Sequence, residues 1–358
     1  MSILVPQSLH KLAQRHENLT RRVLTRAATF NTKRLIIFLT TGWQWRNGGV
    51  MAISAYHRES LALRAIHRAK VVMCTAPGEP DLLKHTWFEN DDYLLNLESV
   101  LRGCKQLDYL LVHMPAYAVD QVADWLANSA PELLANIKDV HLNVMVQNID
   151  NIRGKNISAL KQFGRITATT SHEGYTTLTT REELGVPLHR LSVPNGPERY
   201  QLTGYENKDP LLIVSPDHHP LRDQVLEHLA QARPEVTIKI VKDLDYEEYM
   251  RLTSRAKWSL TFGEGLDGYF VETAYTGGVP FAVFNSRFFT APFANLKNVY
   301  DSWDSLVENI ATDMERLDEP AAYKECWKKT YDLLGELYSV EQFRENLRLF
   351  YRGQYTFP

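Results

Sequence analysis

One stretch, Trp258–Asn285, limits what this chain can become more than any other. It reads WSLTFGEGLDGYFVETAYTGGVPFAVFN: strand, glycine-rich turn, helix, glycine break, strand. Trp258–Phe262 is short, apolar and rich in β-formers, which fits a buried strand. Gly263, Gly265 and Gly268 break that run and let backbone amides come close to a ligand. Tyr269–Tyr275 opens a helix, Gly277-Gly278 stops it, and Val279–Phe284 is the next strand. A helix that begins after glycines offers free N–H groups and a partial positive charge, which suits a phosphate or a sugar oxygen. Glu264 in the turn and Glu272 in the helix, with seven residues between them, place a carboxylate on each side of such a pocket.

The Glu–seven residues–Glu spacing, with Gly265 after the first Glu and Gly278-x-Pro280 after the helix, resembles the donor site of retaining glycosyltransferases with the GT-B fold. The resemblance implies an α/β fold: two Rossmann-like domains facing a cleft, with a C-terminal helical segment crossing back. It implies that Glu272 binds the donor ribose. It also implies that Glu264 and the residues after it, Gly265, Leu266, Asp267 and Gly268, hold the transferred sugar and its diphosphate.

Composition agrees with a soluble globular chain. Its 358 residues suffice for two α/β domains, with 44% apolar and 23% charged residues. A net charge of −3 argues against a general nucleic-acid binder. Cys74, Cys104 and Cys326 are far apart and odd in number, so neither a disulfide framework nor a cysteine metal site is expected. No run has the length of a membrane span and no secretory signal opens the chain. The expected location is the cytoplasm, with peripheral contact at the cytoplasmic face of the inner membrane.

That contact would fall to residues 1–34. They carry seven Lys or Arg against Glu17, with leucines at roughly helical spacing. A basic amphipathic helix lying on anionic lipid, a helix packed on the domain, and a transit peptide all fit this pattern.

Strands are expected at 35–40, 69–74, 108–113, 140–146 and 164–170, with an amphipathic helix over 117–137. By the same resemblance, Gly48-Gly49 after the first strand is expected to be a glycine loop where the backbone approaches a ligand, and Trp43, Trp45 and Arg46 stand beside it. It is neither a dinucleotide fingerprint nor a P-loop. Glu89, Asp91 and Asp92 read as a solvated helix start. Polar residues at strand C-terminal ends line the crevice of open α/β sheets, which selects His113, Gln147, Asn148 and Asp150. His113 also fits a capped loop histidine. His172, in the turn after 164–170, faces the cleft by the resemblance or simply caps the next helix.

The Pro/Gly-rich run over 184–196 reads as the hinge. The second domain is expected to open with strand 211–215, followed by strand 236–241. Arg222 stands where relatives place a diphosphate-gripping lysine, and Ser215-Pro216 where they place an arginine. The aromatic loop after Asn285 is expected to cover base or sugar, and the chain from Ser302 on is helical. The expected domains are a basic extension 1–34, an acceptor domain 35–195, a nucleotide-sugar domain 196–310, and helices 311–358 packing back on the first domain.

The function expected is transfer of a hexose from a nucleotide sugar to a glycan or lipid-linked glycan, with retention, in bacterial surface polysaccharide or lipopolysaccharide assembly. Glu264 and His113 are the candidate catalytic residues. Glu272, Arg222, Gly265, Leu266, Asp267, Gly268, Gly48 and Gly49 are the donor side; Trp45, Arg46, Asn148 and His172 are the acceptor side. No cofactor, metal or nucleic acid is expected. Two alternatives stand beside this: a nucleotide-sugar epimerase of the same fold, and a non-catalytic glycan-binding or scaffold protein.

Overall fold

The computed structural model describes residues 15, 17–20, 22–23, 32–45, 47–193, 196–242 and 244–358. Most of the basic extension, and Arg46, lie outside the described residues. Leu19 and Val23, which are described, are helical and exposed.

The chain forms two units. The first ends at Ser171 and adds Thr176–Val193 and Arg344–Pro358; the second holds His172–Tyr175 and Pro194–Phe343. In the first unit the strands are β1 (Arg34–Thr40), β2 (Lys70–Thr75), β3 (Leu94–Leu95), β4 (Tyr109–Pro115), β5 (Asp139–Val146), β6 (Arg165–Thr170) and β7 (Leu188–Arg190). They lie in the order 3-2-1-4-5-6-7 and every neighbouring pair is parallel. Leu35–Leu39 are fully buried, because a parallel sheet is covered on both faces. The strand order reverses direction between β1 and β4, which puts the crevice of this sheet at their C-terminal ends. Helix α1 (Gly48–Ala62) follows β1, α2 (Leu97–Gly103) follows β3, and α3 (Val119–Asn128) follows β4. The helix expected over 117–137 stops at Asn128, and a separate short turn, Pro131–Leu134, follows with Pro131 at its first position, where a missing N–H costs nothing. α4 (Leu178–Leu184) leads to β7.

The second unit has β8 (Asp209–Val214), β9 (Thr237–Ile240), β10 (Ala256–Leu260), β11 (Val279–Val283) and β12 (Val299–Tyr300), in the parallel order 12-11-10-8-9. Its helices are α5 (Arg222–Ala232), α6 (Tyr246–Arg255), α7 (Gly268–Tyr275), α8 (Trp303–Arg316) and α9 (Pro320–Tyr338), before α10 (Val340–Tyr351). Leu306, Ile310, Met314 and Tyr323 pack with Trp258 and Phe281 in the core of this unit. Residues 311–343, expected on the first domain, therefore belong to the second unit. Only the last part, Arg344–Pro358, is in the first, where Arg344 pairs with Glu59 and Phe357 exchanges backbone hydrogen bonds with Leu188.

Two expectations fail in the first unit. His113 is not at a strand end. β4 runs two residues further, and His113 sits opposite Phe38 on β1 and Asn143 on β5, fully buried. Its ring stacks on Phe38 at 4.3 Å and meets Phe350 at 5.4 Å, and Nδ1 lies 2.9 Å from Asn143 Nδ2. Burial pushes its pKa down to about 3, so it is a neutral core residue rather than a catalytic one. Asp92 does not start a solvated helix either. It lies in a loop and is half-buried. Its carboxylate accepts from the Ser54 hydroxyl and sits 2.7 Å from His57 Nδ1.

Phe350 closes the core over His113, His141 and His189. Phe350→Ala should lower the stability of the first unit by about 3–5 kcal/mol, read as a fall in its urea midpoint. A loss below about 1 kcal/mol would show that this ring is not part of the core.

Candidate functional site

In the second unit the strand order reverses between β8 and β10, so its crevice lies at their C-terminal ends. Two loops emerge there, 215–221 and 261–267. They are tied together at once: Ser215 N–H donates to Leu260 O at 3.0 Å, and Phe262 N–H donates to Ser215 Oγ at 2.9 Å. Each loop then delivers a helix N-terminus, α5 at Arg222 and α7 at Gly268.

The second loop depends on its glycines. Gly265 has φ +89°, in the left-handed region, and a Cβ there would fall 2.5 Å from a Phe289 ring carbon. Leu266 is buried and anchors the turn. Asp267 is the N-cap of α7: Oδ1 accepts from Phe270 N–H at 3.2 Å and Oδ2 accepts from the Thr261 hydroxyl. Its carboxylate, expected on the donor side, is thus engaged in capping the helix. Burial raises its pKa to about 7, and Asp217 and Glu264 nearby push the same way. Glu264 is half-buried in the turn itself.

Glu272 is one turn into α7 and 9% exposed. A Cβ on Gly268 would lie 3.5 Å from Glu272 Oε2, so the carboxylate folds back along the first turn of the helix. Hydroxyls of Tyr249, Tyr200 and Tyr246 hydrogen-bond it, Tyr200 at 3.4 Å, and Arg199 adds a favourable charge. Burial outweighs these and raises its pKa to about 7. The tyrosines come from two segments, Tyr200 from the loop before β8 and Tyr246 and Tyr249 from α6, and no spacing in the sequence announces their meeting with Glu272.

Arg222 opens α5. Its Nη1 donates to the carbonyls of Asp217 at 3.0 Å and Pro216 at 3.4 Å, and its Nε lies 3.4 Å from Asp223 Oδ1. The guanidinium is therefore turned onto its own loop. His219 stacks on Trp303 at 3.9 Å, part of an aromatic pile with Phe262. The loop after Asn285 does not supply a cover: Phe288, Phe289 and Phe293 are buried, and the last two pack on Phe270. His172 belongs to this unit too. Its ring lies 5.2 Å from Phe288, and burial lowers its pKa to about 4.

The structure thus gathers Glu264, Gly265, Leu266, Asp267, Gly268, Glu272 and Arg222 around one crevice. Gly48, Gly49, Trp45 and Asn148 belong to the first unit. There Gln147 Nε2 donates to Gly49 O at 2.8 Å, and Asn47 caps α1. The Asn148 side chain accepts from Asp150 N–H, which is a local cap. Trp45 is 48% exposed. Among the described residues no group of three His, Cys, Asp or Glu side chains is placed to hold a metal ion, and no helix is long and apolar enough to cross a membrane.

No family model matches the sequence. No curated protein matches it either. Solved structures do. Anabaena Alr3699/HepE, in complex with UDP-glucose, is 11% identical with a TM-score of 0.58, over 89% of this chain and 99% of that one. The catalytic domain of starch synthase IV from Arabidopsis thaliana, bound to ADP and acarbose, is 9% identical with a TM-score of 0.53, over 89% and 99%. The DNA-modifying enzyme β-glucosyltransferase is 9% identical with a TM-score of 0.50, over 90% and 99%. At such identities the likeness concerns the fold. That fold is GT-B, two α/β units each built on a parallel sheet.

The carboxyl of Glu272 gives a pH test. Folded, it keeps its proton up to about pH 7; unfolded, it releases it near its ordinary 4.5. The folded form therefore binds the extra proton between these values, and stability falls as pH rises through that window. Glu272→Gln should stabilise the unliganded protein at about pH 8 by up to about 3 kcal/mol and change little at about pH 4. Equal effects at both pH values, in thermal or urea unfolding, would contradict the burial of an ionisable group there.

Proposed function

We propose that this chain is a glycosyltransferase that moves a hexose from a nucleotide sugar to a glycan or lipid-linked glycan acceptor, with retention. The observation that carries this is the crevice of the second unit. Two helix N-termini open onto it, and a buried Glu272 folds back beside one of them. Likeness to proteins solved with UDP-glucose and with ADP supports the same reading.

In this reading the donor diphosphate rests on the first turns of α5 and α7, where the positive ends of the helix dipoles meet phosphate oxygens. Arg222 adds a full charge when its fork leaves the loop carbonyls for the phosphate. Glu272, ionised, accepts from the ribose hydroxyls while Tyr200, Tyr246 and Tyr249 fix its orientation. Glu264 and the amides after it hold the transferred sugar. The bond from the anomeric carbon to the diphosphate breaks and a bond to the acceptor oxygen forms on the same face. The acceptor proton passes to the departing diphosphate, so no side-chain base is assigned. With phosphate charge met by Arg222 and the helix amides, no metal is needed. Assembly of a bacterial surface polysaccharide and work at the cytoplasmic face of the inner membrane complete the proposal.

A second reading rests on the same loops. Ser215 stands where an arginine would grip phosphate, and Arg222 is engaged by its own loop. Asp217 and Glu264 add negative charge beside Asp267. A non-catalytic descendant that binds glycan without turnover would show these features.

Titration calorimetry with UDP, GDP, ADP, CMP and dTDP separates them. One nucleotide family should bind the wild type, equally well in EDTA, and Glu272→Ala should weaken it about 10–100-fold, the worth of hydrogen bonds to a charged group. Unchanged affinity in Glu272→Ala would remove Glu272 from the site. No binding of any nucleotide by folded protein would favour the non-catalytic reading.

A further inference from the structure

In the first unit two loops leave neighbouring strands at the C-terminal edge of the sheet. One follows β1 over 41–45; the other follows β2 over 80–93. Among the described residues, only four aromatic side chains are exposed: Trp43 at 53%, Trp45 at 48%, Trp87 at 57% and Tyr93 at 47%. All four are on these two loops. Aromatic rings are usually buried, so their confinement to one place needs a reason.

The loops are also built to hold them still. Gln44 clamps one to the other, its Nε2 donating to Lys84 O at 2.9 Å and its Oε1 accepting from Thr86 N–H at 3.0 Å. Glu79 Oε2 accepts from both the Thr41 hydroxyl and Gly42 N–H, each at 2.6 Å. A Cβ on Gly42 would fall 1.8 Å from Pro80 O, so the two loops touch backbone to backbone. Asp92, held by Ser54 and His57 of α1, fastens the far end of the second loop beside Tyr93. The loops that carry the four exposed rings are thus tied together at the edge where β1 borders the crevice of the sheet.

We propose that the loops 41–45 and 80–93 form a docking platform for the saccharide chain of an acceptor, an uncharged, hydroxyl-rich glycan. An aromatic face carries negative charge density and attracts the polarised C–H faces of pyranose rings. Charge decides between this partner and a lipid surface, which Trp and Tyr also favour. Glu79, Asp81, Glu89, Asp91 and Asp92 outnumber Lys84 and Arg46 here. An anionic leaflet is repelled by such a surface, whereas carboxylates accept hydrogen bonds from sugar hydroxyls. The same repulsion excludes acidic polysaccharides. The proposal rests on the transferase reading for the role of acceptor; binding of glycan by these rings stands or falls by itself.

The test uses the full chain, a printed array of neutral, amino and acidic oligosaccharides, and vesicles of phosphatidylcholine with and without phosphatidylglycerol. The wild type should bind neutral members of the array and neither vesicle. Trp43→Ala/Trp87→Ala should weaken that binding about tenfold or more. Its thermal shift with nucleotide should match the wild type, showing an intact second unit. The proposal is overturned if vesicles bind and glycans do not, if acidic glycans are preferred, if the double variant binds like the wild type, or if folded wild type binds no glycan. Glycan binding that needs the tryptophans, in protein that binds no nucleotide, would uphold this platform and defeat the transferase reading.

Discussion

The tie between Ser215 and Phe262 holds the site together. By joining the ends of β8 and β10 it sets a proline-containing loop and a glycine-containing loop side by side, the two that lead into α5 and α7. Asp267 then caps α7 with its carboxylate, and Gly265 supplies the left-handed turn that Phe289 leaves no room to build otherwise. Every feature invoked for donor binding follows from that arrangement. The two helix starts, the placement of Arg222 and the folding back of Glu272 are built on it. If phosphate binds there as proposed, it meets helix ends already set in place by the sheet, which reduces the cost of ordering the site on binding.

The two buried carboxylates show what this organisation costs. Burial raises both Asp267 and Glu272 to a pKa of about 7, so each is only partly ionised at neutral pH. Asp267 keeps its place through the Thr261 hydroxyl and Phe270 N–H. Glu272 keeps its place through three tyrosine hydroxyls. A carboxylate that is buried yet only partly compensated is a common mark of a functional site, since a purely structural position would favour an amide. Ribose hydroxyls would supply the donors that Glu272 lacks.

Much of the fold was legible because parallel strands buried on both faces are continuous apolar runs. LIIFLT, DYLLVH and VHLNVMV each became a strand. The strands β3 and β12 have two residues each and β7 has three, too short to leave a pattern. The glycine turn after β10 and the helix that carries Glu272 were readable from local spacing. The tyrosines around Glu272 were not, because residues 200, 246 and 249 meet only in three dimensions. His113 misled for a related reason: its strand runs on through Met114-Pro115, which pair with Val144 and Met145, so a polar residue taken for a strand end is a buried middle. The aromatic residues 288, 289 and 293 read as a ligand cover but fill the core against α7. Asp92 read as solvent-facing charge, and only the loop's return to α1 showed its partners.

The most direct test of the central claim is a crystal structure of the chain soaked with the nucleoside diphosphate that binds it best. The account predicts the diphosphate over the first turns of α5 and α7, the ribose hydroxyls on Glu272, and Arg222 turned from its loop carbonyls to phosphate. A nucleotide bound away from the β8–β10 crevice, or bound there with Glu272 still enclosed by its tyrosines and untouched by ribose, would contradict it.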